Sequence, residues 1–188
     1  MEAKSLRSIY QLKITLKGMR PPIWRRILMA STTKLDDVHL IFQIVMGWTN
    51  SHMHEFIQGR DRYVEPDEEF PSDAKDEAQY RLDQLLKREK EKLIYTYDFG
   101  DGWEHEVVLE KILPFKTSAV LPICVKGCRA CPPEDIGGIG GYMMFLEAIS
   151  DPAHPEHEDM LEWIADDIED PFNPEAFDLA EVNQLLQS

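Results

Sequence analysis

The segment Tyr95-Thr-Tyr-Asp-Phe-Gly-Asp-Gly-Trp-Glu-His105 decides how the middle of the chain folds. It predicts two β-strands joined by a turn over residues 98–102, where glycines tolerate the positive φ that a tight turn requires. Because side chains alternate along a strand, Trp103 and His105 share one face, and the neighbouring glutamates lie on the other. We therefore expect a hairpin over residues 93–112 with the tryptophan and the histidine facing the core.

Two further strands and a helix are predicted ahead of this hairpin. Residues 10–17 alternate apolar and polar side chains, and residues 23–30 follow after a proline-containing turn, so the two segments predict an antiparallel pair. Thr33 and Asp36 form a capping-box pattern that predicts the start of a helix. Gly47 stands where a C′ glycine is expected to end it.

Short elements are predicted between this helix and the hairpin. Residues 52–58 predict a strand, and residues 63–64 predict its brief partner. Residues 65–78 are acidic and poor in apolar groups, so we expect an exposed loop. A short helix is then indicated by three leucines: Leu82, Leu85 and Leu86.

The last third of the chain predicts helices. Residues 114–141 are rich in Pro, Cys and Gly and are expected to be irregular. Three helices are predicted after them, over residues 142–149, 156–167 and 175–186. Early strands in hairpins and late helices predict an α+β fold. We expect one domain over residues 1–188: a largely antiparallel sheet packed with one helix from the N-terminal half and with the C-terminal helices.

The charge distribution limits the classes of partner. The net charge of −15 disfavours direct binding to nucleic acid, because phosphate groups are bound by clustered Lys and Arg. Residues 1–30 are nevertheless basic, whereas residues 147–181 contain no Lys or Arg. A basic N-terminal hairpin that includes Arg25 and Arg26 can meet a phosphate or the acidic part of the same chain. We favour the second.

The sequence also indicates where the protein acts. No apolar run approaches the roughly 20 residues that span a membrane, and the first residues lack the apolar core of a signal peptide. The three cysteines are an odd number within eight residues, which does not form a disulfide framework. These features predict a cytoplasmic protein without membrane association.

The hairpin carries the first candidate site. Asp98, Asp101 and His105 can supply oxygen and nitrogen ligands to a divalent metal, or an acid and a base. The alternative is a structural hairpin, in which Trp103 and His105 face the core and one hydrogen bond satisfies the histidine. The residue pattern favours this alternative.

Two other groups of residues have metal-ligand spacing. His52 and His54 lie two apart on a predicted strand, hence side by side, and such pairs can chelate zinc with a third ligand from elsewhere. A buried structural pair is the favoured alternative. Three cysteines have the spacing Cys124-x3-Cys128-x2-Cys131, which can hold an iron–sulfur cluster or, with a histidine, structural zinc. Three reduced thiols are the favoured alternative there.

Several motifs together resemble the plasmid pRiA4b ORF-3-like family over about residues 8–187. They are Pro21-Pro22 with Trp24-Arg25-Arg26-Ile27, Gly47-Trp48, His52-x-His54-x-Phe56, Tyr95-x-Tyr97-Asp-Phe-Gly-Asp101-x-Trp103-x-His105, Cys131-Pro-Pro-Glu-Asp135 with Gly137-Gly138 and Gly141-Tyr142, and Phe172 to Phe177 with Val182-Asn183. The combination is specific, whereas each motif alone is not.

The resemblance implies no established activity. Some family members are associated with mobile elements and are labelled resolvase-like, but this chain has neither a serine- nor a tyrosine-recombinase arrangement. The family pattern has cysteines at the positions of Cys124 and Cys131, and often at 136. Here residue 136 is Ile and Cys128 is additional, which weakens the case for a cysteine metal site in this chain.

Three hypotheses follow. The first is a binding or accessory module whose cleft lies around the hairpin, with residues 131–141 as its rim. The second is a metal-dependent hydrolase or nuclease with a divalent metal, and the third is a nucleic-acid accessory protein linked to mobile elements. The candidate site residues are His52, His54, Asp98, Asp101, Trp103, His105, Glu134 and Asp135.

Overall fold

The computed structural model describes residues 8–67, 71–165 and 171–188. The strands are β1 (Ser8–Leu16), β2 (Trp24–Ala30), β3 (His54–Gln58), β4 (Asp61–Val64), β5 (Lys75–Asp76), β6 (Lys92–Tyr97), β7 (Trp103–Pro114) and β8 (Ile123–Cys128). The helices are α1 (Leu35–Met46), α2 (Leu82–Leu85), α3 (Gly138–Ser150), α4 (His157–Ala165) and α5 (Leu179–Leu185), with a 3₁₀ turn at Glu77–Gln79.

The strands described form one sheet in the order β5-β4-β3-β6-β7-β1-β2-β8. Neighbouring strands are antiparallel, except that β4 and β5 run parallel. The predicted α+β class with a largely antiparallel sheet is confirmed. No described helix is both long enough and apolar enough to cross a membrane.

The central hairpin, β6 and β7, has the predicted faces. Tyr95 pairs with His105 and Tyr97 pairs with Trp103, and all four side chains are fully buried. Phe42 of α1 packs edge-on against Tyr95, with ring centroids 5.2 Å apart. The helix therefore covers the same sheet face that the alternating pattern marks as buried.

The start of α1 differs from the prediction. Lys34 is the N-cap and provides no side-chain hydrogen bond to the helix. The Thr33 hydroxyl donates instead to the carbonyl of Ala30, so the predicted capping box does not form. The predicted end is correct: Gly47 has φ 94° and its N–H donates to the carbonyl of Gln43.

Strand β8 lies within residues 114–141, a segment that the sequence predicts to be irregular. Its pattern lacks strand alternation, and two side-chain hydrogen bonds join it to α5. Asn183 accepts from the N–H of Cys124 at 2.8 Å and donates to the Cys124 carbonyl at 2.9 Å. Hydrogen bonds from a side chain 59 residues away leave no pattern in the sequence of the strand itself.

The segment predicted as an exposed loop over residues 65–78 is partly structured. Lys75 and Asp76 form β5, and Glu77 is buried. The C-terminal helices also begin at different residues: α3 starts four residues earlier than predicted, and α5 four residues later, where Asp178 caps the N–H groups of Ala180 and Glu181. The predicted end of the middle helix at residue 167 lies outside the described residues.

Candidate metal centre

Two glycine-containing segments pack backbone to backbone at the end of the central hairpin. The N–H of Gly137 donates to Asp101 Oδ2 at 3.2 Å. Gly138 adopts φ 67°, and a Cβ at this position would lie 2.5 Å from the carbonyl oxygen of Asp101. Only glycine allows this approach, so the loop over residues 134–138 is fixed against the turn that joins β6 to β7.

This turn also fixes the carboxylate of Asp98. Asp98 has φ 56° and is buried. Its Oδ1 accepts from the N–H of Gly100 at 2.8 Å, and its own N–H donates to the carbonyl of Met53 at 2.8 Å. The backbone of Met53 thus ties the segment before β3 to the turn, and Asp98 Oδ2 faces the side chain of His52.

Three potential ligand atoms converge at this junction. His52 Nε2 lies 3.3 Å from Asp135 Oδ1 and 3.9 Å from Asp98 Oδ2. One atom from each of these residues lies within 4.8 Å of the other two, and the described residues contain no second group of three or more His, Cys, Asp or Glu with this property. His52 Nε2 is buried and has no hydrogen-bond partner. One imidazole nitrogen and two carboxylate oxygens suit a divalent transition metal.

Glu134 lies next to this group but has other partners. Its carboxylate accepts from the hydroxyls of Tyr97 and Thr49. Burial, and then the Glu134 carboxylate, raise the pKa of Tyr97 above its ordinary value. The Tyr97 hydroxyl also accepts from the N–H of Ser51 at 3.0 Å. Glu134 therefore anchors the loop to the segment after α1.

The strand predicted over residues 52–58 begins at His54, so His52 lies outside it and strand geometry does not pair the two histidines. His54 has other partners. His54 is buried, and its Nε2 lies 2.8 Å and 3.0 Å from the two oxygens of Glu77. Its ring stacks on that of His39, with centroids 3.4 Å apart.

His39 belongs to a buried hydrogen-bond network on α1. Gln43 donates to the Tyr95 hydroxyl, which lies 2.8 Å from His39 Nδ1, and His39 Nε2 lies 2.6 Å from Asn50 Oδ1. Tyr95 therefore donates to Nδ1, and Nε2 carries the proton. Burial, and then the neighbouring His54, lower the pKa of His39 to about 4. Neither His39 nor Glu77 was predicted from the sequence, because an isolated polar residue in an apolar helix or in an acidic segment gives no signal.

The structure places Trp103 and His105 in the core, apart from the three converging ligand atoms. His105 Nδ1 lies 3.2 Å from the carbonyl of Tyr95, to which it donates. Burial lowers the pKa of His105 to about 4, so the ring is neutral. Neither His105 Nε2 nor Trp103 Nε1 has a protein hydrogen-bond partner. Asp101, in contrast, serves the turn-to-loop contact.

The structure does not bring the three cysteines together as a group of ligand atoms. Cys124 is buried on β8, Cys128 is exposed at the end of that strand, and Cys131 is half-buried in the following loop. Burial raises the pKa of Cys124 and raises that of Cys131 to about 12, so both are thiols at neutral pH.

The basic N-terminal hairpin does not present Arg25 to a phosphate. Arg25 is buried, and its guanidinium donates to the carbonyls of Val45, Trp24 and Cys128. Arg26 makes a bidentate ion pair with Glu110, at 2.6 Å and 2.8 Å. A variant that neutralises both Arg25 and Arg26 would therefore test folding rather than nucleic-acid contact.

Comparison with known proteins identifies the relatives of this chain. A family model described as plasmid pRiA4b ORF-3-like protein matches residues 8–181. The chain belongs to this family. It is 39% identical over 157 residues to the uncharacterized protein y4hQ of Sinorhizobium fredii (strain NBRC 101917 / NGR234), covering 83% of this chain and 80% of that protein.

A solved structure supports the same assignment. The chain is similar to the crystal structure of the protein of unknown function MM3350 from Methanosarcina mazei Go1, with a TM-score of 0.82 and 38% identity. The match covers 95% of this chain and 98% of that chain. Neither name states an activity.

Three of the motifs that carry the pRiA4b ORF-3-like resemblance are in contact next to this site. Trp48 stacks on Tyr97, with ring centroids 4.9 Å apart, and donates from Nε1 to the carbonyl of Pro132 at 3.0 Å. The aromatic residues of the hairpin and the proline-containing loop are thus joined through one tryptophan. The junction positions Asp98 and Asp135, which are far apart in sequence.

Proposed function

We propose that the protein is a binding module that depends on a divalent cation. The ion is held by His52 Nε2, Asp98 Oδ2 and Asp135 Oδ1. The observation that carries the proposal is the convergence of these three atoms around a buried imidazole nitrogen without a hydrogen-bond partner. Two carboxylates balance the charge of the ion, and an imidazole nitrogen favours Zn²⁺ or Mn²⁺ over Ca²⁺ and Mg²⁺.

The role of the ion follows from where its ligands lie. His52 precedes β3, Asp98 belongs to the hairpin turn, and Asp135 belongs to the loop before α3. Asp135 is largely exposed, so coordination positions on its side remain open to an oxygen-donating ligand. The ion therefore links three segments and presents a binding position at the surface.

A metal-dependent hydrolase is the second candidate function. Three protein ligands with open positions are typical of catalytic zinc centres, in which the ion lowers the pKa of a bound water. The Glu134 carboxylate is turned towards the hydroxyls of Tyr97 and Thr49 and is not one of the three converging groups, so a water that the metal would hold has no carboxylate base assigned to it among these residues. The net charge of −15 makes nucleic acid the least suited substrate.

Metal titration of the purified protein tests the proposal. After chelation, Zn²⁺ or Mn²⁺ is expected to bind in one equivalent and to raise the midpoint of thermal unfolding. Asp98→Asn and Asp135→Asn are expected to weaken binding at least tenfold. Asp101→Asn is the matched control, because asparagine removes a charge from the same turn but keeps an oxygen that can accept from the N–H of Gly137. Equal affinity in the first two variants and the wild type would rule out this site.

The hydrolase is tested separately with ester and phosphoester substrates. Turnover that requires Zn²⁺ or Mn²⁺ and is lost in Asp135→Asn supports it. Metal binding without turnover would exclude the hydrolase and leave the binding module as the proposed function.

We also propose a cytoplasmic location, supported by three free thiols that form no disulfide.

A further inference from the structure

A cavity of about 440 Å³ lies beside the proposed metal site. Its walls come from the end of α1, the loop before α3, helix α4 and the segment after residue 170. The volume of the cavity lies within the range of about 300–1,000 Å³ that is typical of small-molecule sites. Its lining includes Trp48, Thr49, Glu134, Asp135, Trp163 and Phe172.

The charged side chains that the described residues contribute to this cavity are both carboxylates. Glu134 and Asp135 line it, and none of its described lining residues is Lys, Arg or His. Residues 130–188, which supply most of the walls, contain no Lys or Arg in the sequence. The net charge of the whole chain is −15. A cavity with this charge attracts cations and repels anions.

The aromatic walls are held in place by other rings. Phe172 packs edge-on against Phe145, with ring centroids 5.3 Å apart, and against Tyr142 at 6.2 Å. Trp163 packs edge-on against Phe145 at 6.1 Å. Trp163 and Phe172 are only half-buried, so part of each ring is available to a ligand. Rigid aromatic faces attract organic cations through their electron-rich π systems.

Glu134 provides a fixed negative charge at the other wall. Three donors hold its carboxylate: the Tyr97 hydroxyl, the Thr49 hydroxyl and the N–H of Thr49 at 3.4 Å. Asp135 also lines the cavity, but its Oδ1 belongs to the proposed metal group. We therefore assign Glu134 as the carboxylate that pairs with a cation in the cavity.

From this arrangement we infer that the cavity binds an alkylammonium group. The ammonium pairs with Glu134, and the attached methylene or methyl groups pack on Trp163 and Phe172. The ligand is either a free polyamine or the side chain of a lysine. This site goes beyond the proposed metal site and does not require the ion.

Calorimetric titration of the chelated protein tests the inference. Butylammonium and tetramethylammonium are the probes, and butanol and tert-butanol are the neutral controls of similar size. The ammonium probes are expected to bind at least fivefold more tightly than the alcohols, and their affinity is expected to fall as salt rises. Equal binding of an ammonium probe and its alcohol, or no binding of either ammonium, would overturn the inference.

Variants separate this cavity from the metal site. Trp163→Leu and Glu134→Gln are each expected to weaken butylammonium binding at least fivefold, whereas Asp98→Asn is expected to leave it unchanged. Circular dichroism confirms that each variant is folded. If both cavity variants bind like the wild type, the inference fails even when metal binding is intact.

The two sources of the ligand are distinguished by comparing spermidine with Nα-acetyl-lysine methylamide. Tighter binding of spermidine assigns a free polyamine, and tighter binding of the lysine derivative assigns a protein side chain. Either result supports an alkylammonium ligand. Failure of both to bind contradicts it.

Discussion

At the scale of single residues, Asp98 combines a backbone role with a ligand role. A left-handed conformation disfavours most side chains, but aspartate and asparagine tolerate it because they hydrogen-bond locally. Asp98→Asn retains an oxygen that can accept from the N–H of Gly100, so its free energy of unfolding is expected to change by less than about 1 kcal/mol. Asp98→Ala loses that hydrogen bond and is expected to cost roughly 1–3 kcal/mol.

Urea unfolding of the two variants measures this difference. The same variants separate folding from metal binding, because both remove the charged ligand and only the alanine loses the turn. If Asp98→Asn is as unstable as Asp98→Ala, the charge of Asp98 rather than its hydrogen bond maintains the turn.

Gly138 makes the close contact between the loop before α3 and the hairpin turn. In Gly138→Ala the new Cβ would lie 2.5 Å from the carbonyl oxygen of Asp101, at a backbone φ of 67°. The loop must move away from the turn, so we expect a loss of at least about 2 kcal/mol and weaker metal binding. Gly140→Ala is the matched control on the same helix: a Cβ there meets nothing within 4 Å, and alanine favours a helix by up to about 1 kcal/mol.

Thermal unfolding and zinc titration of both variants test the contact. Gly138→Ala is expected to be impaired in both measurements and Gly140→Ala in neither. Similar behaviour of the two variants would show that the close approach of loop and turn does not position Asp135.

The three residues of the candidate metal centre could be predicted as possible ligands from the sequence, but it could not be predicted that these three lie together. His52, Asp98 and Asp135 were among the candidates, but so were His54 and His105, which the fold places in the core. Strand alternation identified the buried face of His105. The start of β3 at residue 54 leaves His52 outside the strand, and the contact of two glycine-containing segments brings Asp135 to the turn. Neither depends on local sequence.

At the scale of elements, β8 depends on α5. Asn183 makes two hydrogen bonds to Cys124 across 59 residues and a third to the carbonyl of Leu179 within α5. Among the described strands, β8 lies at the edge of the sheet next to β2. Asn183→Ala is expected to cost roughly 1–3 kcal/mol and to increase amide exchange over residues 123–128. Gln187→Ala, which loses one exposed bond to Pro122, is the control.

Hydrogen-exchange mass spectrometry is the measurement. If the hydrogen bonds from Asn183 stabilise β8, amide exchange in β8 is expected to be faster in Asn183→Ala and little changed in Gln187→Ala. Unchanged protection of β8 in Asn183→Ala would mean that pairing with β2 alone holds the strand.

The same comparison explains which elements were predictable. Strands β1 and β7 alternate cleanly, and helix α1 ends at a glycine in the left-handed conformation, so each carries its own signal. Strand β8 has no alternation and is stabilised from a distant helix. The predicted capping box of α1 does not form, because the Thr33 hydroxyl donates to the carbonyl of Ala30 and does not bond to the helix.

At the scale of the whole molecule, two buried histidines link stability to pH. The pKa of both His39 and His105 is lowered from 6.5 to about 4, in each case chiefly by burial. In the unfolded chain these groups take up protons near pH 6.5, whereas the folded protein resists protonation until about pH 4. Their contribution is therefore complete above about pH 6.5 and is lost as the pH falls towards 4.

A shift of this size corresponds to about 3 kcal/mol for each histidine. Urea unfolding between pH 7 and pH 4.5 is expected to show a free energy of unfolding that falls steadily with pH. Arg26 lowers the pKa of Glu110 below its ordinary value, which adds a loss in the same direction at lower pH. His39→Gln removes one of the two histidine titrations and is expected to reduce the slope by about half between pH 6.5 and 5, because the glutamine carries no proton in either state. An identical slope in His39→Gln and in the wild type would show that His39 is not held neutral by the fold.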